Sequence, residues 1–264
     1  MLIHRRIQAF TLVVTALSVA ACANARVGDG EDGVGTTPDG GGGGGGVGDQ
    51  DSGGGGSPEA DAAPSTPDAA RQDVSLSQSD ILDIVGDNSV ACGDKNTIAE
   101  NSYYRVFDLG ALGVNGPFQV DTVTFGVQEA TSPDGSGRPA TVKIHTLDGA
   151  LQVDNLTEVV SQPTVIQELA PDPPGEIGGR MHEVDVDATV PAGSIMVVEV
   201  AHDDLGEDEF LLIGSNRAKQ QGPTFVRSPF CGQGEPTDVD TLEDEEGNPV
   251  VMHWVMVVDG RSGG

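Results

Sequence analysis

The stretch His182-Glu183-Val184-Asp185-Val186-Asp187-Ala188-Thr189-Val190 decides the fold class. Successive side chains of an extended chain point to opposite faces. Alternation therefore puts His182, Val184 and Val186 on one face and Glu183, Asp185 and Asp187 on the other, the pattern of a half-buried strand. ATVKIHTL at 140–147 repeats it, with Val142 and Ile144 inward and Lys143 and His145 outward. In FQVDTVTFGV at 118–127 the apolar face switches from Phe118 and Val120 to Val123, Phe125 and Val127, as a β-bulge requires. YYRVFDL at 103–109 adds a strand, and LTEVV at 156–160 and TVIQEL at 164–169 bracket Pro163. SIMVVEVA at 194–201, FLLIGS at 210–215 and VVMHWVMVV at 250–258 are apolar on both faces, as strands in the middle of two packed sheets would be. PDG, GSGRP, LDG, PDPPG, VPAG and EGNP supply turns between them. No helical pattern separates the runs, so the sequence predicts an all-β, antiparallel β-sandwich of jelly-roll-like kind.

The chain has 264 residues, with 42 Asp and Glu against 13 Lys and Arg, a net charge of -29. So acidic a protein repels the phosphates that a nucleic-acid binder must neutralise, which excludes that class. The predicted sandwich occupies 91–264. From Ile81 onward there are 31 acidic and 9 basic residues, net -22, a field that favours solubility and is relieved by salt.

Residues 1–21 read as a signal peptide: MLIHRR is basic, and Ile7 to Ala21 carries no charge. That run is too short for a membrane span of about 20 residues. It ends in Val19-Ala20-Ala21-Cys22, which resembles the lipobox of bacterial lipoproteins. The resemblance implies that Cys22 becomes the mature N-terminus and carries fatty chains such as palmitate on its sulfur and amine. More than one chain makes a stable anchor. Ala23 after the cysteine, by the same resemblance, points to the outer membrane or cell surface.

Residues 22–90 read as a tether. Gly40 to Gly46 and Gly53 to Gly56 are unbroken glycine runs, with Asp, Ser and Pro between and around them. Such composition cannot bury enough apolar surface to offset chain entropy and is expected to be disordered. SQSDILDIV within 72–90 fits either a short helix or a strand packed on the domain.

Several phrases of the domain resemble a poorly characterised module of secreted and surface proteins of bacteria. They include NSYYRVFDLGALGVNGPFQVDTVTFGV at 101–127, VPAGSIMVVEV at 190–200, FLLIGSNRAKQQGPTF at 210–225 and MHWVMVVDG at 252–260. That module is similar to a β-sandwich accessory domain appended to exported hydrolases or to anchoring sequences. The resemblance implies fold and location and no particular chemistry.

With Cys22 lipidated, Cys92 and Cys231 remain, and export to an oxidising compartment predicts a disulfide between them. None of His145, His182, His202 and His253 lies in HExxH, and no serine sits in a G-x-S-x-G elbow, so no catalytic residue is assigned. No metal site is assigned either. Asp203, Asp204 and Asp208, in the loop DDLGEDE, are calcium candidates, as is the loop LEDEEGN at 242–248. Structural calcium is thus the one cofactor the sequence admits. Trp254, between Met252 and Met256, belongs in the core, while the adjacent Tyr103 and Tyr104 predict that one faces outward.

These readings converge on an exported, lipid-anchored protein of the bacterial envelope. A tether would present one non-catalytic sandwich with a binding, adhesive or structural role, its partner a glycan or protein. The rival is a hydrolase of extracellular polymer with a noncontiguous active site.

Overall fold

The computed structural model describes residues 24–27, 71–93, 97–243 and 247–263. In chain order the strands are β1 (Asn24–Val27), β2 (Gln72–Ser77), β3 (Ile84–Val85), β4 (Asn101–Asp108), β5 (Phe118–Thr131), β6 (Arg138–Leu147), β7 (Leu156–Ile166) and β8 (Ile177–Gly178). They continue with β9 (Arg180–Val190), β10 (Ile195–His202), β11 (Phe210–Ile213), β12 (Ser215–Asn216), β13 (Phe225–Ser228), β14 (Gln233–Asp238), β15 (His253–Trp254) and β16 (Met256–Ser262).

Two six-stranded antiparallel sheets form the body. One has the order β1-β2-β16-β5-β11, with β9 also paired to β5, and the other the order β14-β13-β4-β10-β6-β7. The expected all-β class and antiparallel sheets are present, and the only helical turns among the described residues are three short 3₁₀ segments. The inward faces meet in one core. Phe118, Val123, Phe125 and Val127 of β5 and Val184 and Val186 of β9 pack with Val142 and Ile144 of β6 and Met196, Val198 and Val200 of β10. Each large apolar side chain buried this way contributes about 1.5–3 kcal/mol.

The HEVDVDATV alternation appears as expected, with Val184, Val186, Ala188 and Val190 buried and Glu183, Asp185, Asp187 and Thr189 exposed. The bulge is also present: the β5–β9 register shifts between Val120 and Thr122, and β16 shifts at the same level between Asp259 and Gly260. Gly260 is needed there, because a Cβ would collide with the Gln119 carbonyl and the Phe118 ring. Trp254 is fully buried; its ring meets Tyr103 edge-on at 4.9 Å, and its Nε1 donates to the Phe225 carbonyl at 2.9 Å. Cys92 and Cys231 form the expected disulfide, with Cα atoms 5.9 Å apart and a sequence separation of 139.

Two expectations need correction. The domain begins near residue 72 rather than 91: β2 pairs with β16 along its whole length, and Val74 and Leu76 enter the core. The short apolar alternation of QDVSLS suffices because β16 supplies the partner edge. Asn24–Val27, as β1, pair with β2 from Asn24↔Ser77 to Val27↔Val74. The rest of 1–70, including Cys22, lies outside the described residues. The two runs around Pro163 are one strand, β7, the last of its sheet. An edge strand tolerates proline, which has no N–H to donate.

β7 and β9, from opposite sheets, are linked by a hydrogen bond of 2.9 Å between Thr164 Oγ1 and His182 Nε2. That contact closes one flank of the sandwich beside the outer face described next.

Candidate functional site

On β10, alternation turns Met196, Val198 and Val200 inward, and so turns Val197, Glu199 and Ala201 to the outer face of the sheet. Strand register then lines up a cross-strand row on that face. Ser161 of β7 stands opposite Lys143 of β6, Lys143 opposite Glu199, Glu199 opposite Tyr104 of β4, and Tyr104 opposite Phe225 of β13. Directly opposed pairs in a sheet are close enough to interact.

Glu199 is the centre of this row. Its Oε2 lies 2.8 Å from His145 Nε2, and its Oε1 lies 3.4 Å from Lys143 Nζ and accepts from the Tyr104 hydroxyl at 3.3 Å. Burial pushes the carboxyl pKa up. The His145 hydrogen bond, the Lys143 charge and Ser102 outweigh that and hold it at about 2. Glu199 is therefore a fixed anion at neutral pH, and it holds the Lys143 ammonium against the sheet. Burial and the Glu199 charge together push the Tyr104 hydroxyl above its ordinary range.

Next to this cluster, the same face carries a groove of about 590 Å³. Lys143, Thr141, Ser161, Pro163 and Val165 line it from β6 and β7, and Ala201, His202, Asp203 and Asp204 line it from the end of β10 and its following loop. Its β7 side mixes the apolar Pro163 and Val165 with Ser161 and Thr164. His202 is buried, with Nδ1 2.9 Å from the Asp203 carbonyl and Nε2 without a partner. Burial lowers its pKa, against the opposing pull of Asp203, Asp204 and Glu100. Its ring lies 6.2 Å from that of Tyr103, on the core side of the strand.

The calcium candidates lie on the loop after β10. Asp204 Oδ1 accepts from the Glu100 backbone N–H at 2.8 Å, Asp203 is exposed on the groove rim, and Asp208 occupies a left-handed turn position at φ 59°. Among the described residues no three His, Cys, Asp or Glu converge to hold a metal ion. The 242–248 loop lies partly outside the described residues.

Both tyrosines are buried, against the expectation that one faces outward. Tyr103 enters the core, and Tyr104 is covered on the outer face, where it packs with Val197 and Phe225. The sequence reading does not single out Glu199. The available signal is one carboxylate inside the otherwise apolar SIMVVEVA, which calls for a buried partner.

Compared with known proteins, the chain matches no family model, no curated protein and no solved structure.

Proposed function

We propose that the chain is an exported bacterial envelope lipoprotein, anchored through Cys22 at the outer membrane or cell surface. Its β-sandwich acts as a non-catalytic binding module, and the outer-face groove is where the ligand sits. The observation that carries this reading is an open groove lying beside a fixed ion pair. Lys143, which lines it, is paired with buried Glu199, and Glu199 in turn holds His145 Nε2, while the rim residues Ser161, Asp203 and Asp204 remain exposed. A preformed surface of this kind binds without a large ordering cost. The Cys92–Cys231 disulfide supports export, since such bonds persist in oxidising compartments.

One observation favours the rival hydrolase reading: His202, whose buried Nε2 has no partner, sits at the end of the groove next in sequence to Asp203 and Asp204. Incubating the purified protein with esterase, glycosidase and peptidase substrates decides between the two. Binding without turnover is expected. Turnover that disappears in His202→Gln would establish the hydrolase and overturn the non-catalytic reading.

A further inference from the structure

We infer that the outer-face groove takes an extended, cationic and amphipathic peptide segment of a partner protein. This rests on the binding-module reading and narrows its ligand class.

The groove has two kinds of wall. Pro139, Pro163 and Val165 make one side largely apolar, and Val165, one residue from the end of β7, is 58% exposed. An exposed valine beside two prolines leaves apolar area that a ligand side chain can cover, at about 25 cal/mol per Å². Asp203 and Asp204 make the other side acidic. Both are exposed, and neither forms an ion pair with a cation among the described residues. Lys143 is the one Lys or Arg of the lining, and it is drawn 3.4 Å from Glu199, which cancels its charge. The net charge of -22 from Ile81 onward adds a field that steers cations to the surface.

Each wall excludes a different competitor. A small polyamine would pair with the carboxylates and leave the apolar wall uncovered. A sugar ring ordinarily stacks on an aromatic platform, and no Phe, Tyr or Trp lines the groove. A chain that alternates basic and apolar side chains satisfies both walls at once. It lies across the face through its side chains. Pro163 removes an N–H from the free edge of β7 and so discourages addition of a further strand there.

The test uses the full mature protein and short synthetic peptides, with affinity measured by calorimetry at low and moderate salt. A lysine–leucine alternating peptide should bind, a lysine–serine peptide about fivefold more weakly, and a glutamate–leucine peptide not at all. Asp203→Asn combined with Asp204→Asn should weaken the lysine–leucine peptide about tenfold, and Val165→Ser about threefold. The amide introduced by Asp204→Asn keeps an oxygen for the Glu100 N–H, so the loop stays anchored. Glu183→Gln with Asp185→Asn, on the opposite face of the sandwich, should leave affinity unchanged. Equal losses from the two carboxylate pairs would mean diffuse attraction and overturn the proposal, as would wild-type affinity in the Asp203/Asp204 variant. Binding of a neutral oligosaccharide or the acidic peptide that is lost with Val165→Ser would overturn the ligand class alone, leaving the groove as a binding site.

Discussion

His145 Nε2 sits 2.8 Å from Glu199 Oε2, both side chains buried on the outer face of one sheet and 54 residues apart in sequence. Two polar groups hidden on the nominal solvent side of a sheet organise that face. Lys143 joins them from the strand that carries His145, and Tyr104 from the strand on the other side.

The first prediction concerns Glu199. Its folded pKa is depressed to about 2, so its stabilisation is complete above the usual carboxyl value and is lost as pH falls toward 2. Glu199→Gln should cost about 2–3 kcal/mol at pH 7. The gap between wild type and variant should close between about pH 5 and pH 2. Urea unfolding at stepped pH measures it; a gap of equal size at pH 7 and at the acid end would rule out the ionised carboxylate as its source.

The second concerns Arg105, buried in the core layer. Its Nε and Nη2 donate to the Trp254 carbonyl at 3.0 and 2.6 Å, and its other bonds go to Gln220 Oε1, Gln78 Oε1 and the Gly222 and Pro223 carbonyls. All these acceptors are neutral. Arg105→Met strands them and should cost about 3 kcal/mol. Burial lowers the guanidinium pKa to about 9, so the folded state releases its proton before the unfolded state does. Wild-type stability relative to the Met variant should therefore rise as pH climbs past 9. A Met variant as stable as wild type at neutral pH would contradict the assignment.

The third concerns the disulfide. Closing a loop of 139 residues is worth about 5 kcal/mol in the chain-entropy model. At about 2–4 °C per kcal/mol, reduction should lower Tm by about 10 °C or more. Thiol trapping of exported, denatured, unreduced protein should find neither Cys92 nor Cys231 free. Two reactive thiols would refute the link.

The fourth concerns the anchor. Cells fed a labelled fatty acid should label the protein, and Cys22→Ser should abolish the label and release the domain from membranes. Label that survives the substitution would remove the lipobox reading. Calcium should raise Tm no more than an equal ionic strength of sodium chloride, because no three His, Cys, Asp or Glu converge among the described residues; a larger rise, lost on substituting Asp203, Asp204 and Asp208 together, would establish a calcium site.

The fold is legible where one local rule suffices. Alternation in 182–190 and the switch between Val120 and Val123 each depend on a single strand, and both appear in the structure. The disulfide is legible from the expectation of export and from the two cysteines left once Cys22 is set aside. What escapes depends on strands meeting from distant parts of the chain. Nothing near Tyr104 in sequence announces that Phe225 and Glu199 flank it, so its burial on the outer face is not readable. Val74 and Leu76 do carry a period-two signal, but the glycine-rich context before them outweighs it. Pro163 reads as a break because edge placement is a property of the sheet and not of the strand. The groove comes from β6, β7 and the end of β10, and only the Asp203–Asp204 pair marks it in advance.

The most direct measurement of the binding-module proposal is site-specific photo-crosslinking in living cells. A photoreactive residue replaces exposed Ser161 in the groove or, as the comparison, exposed Glu183 on the opposite face. The expected result is a discrete adduct from the Ser161 position, absent at the Glu183 position and diminished by Asp203→Asn with Asp204→Asn. No adduct from the groove, or the same adducts from both faces, would contradict it.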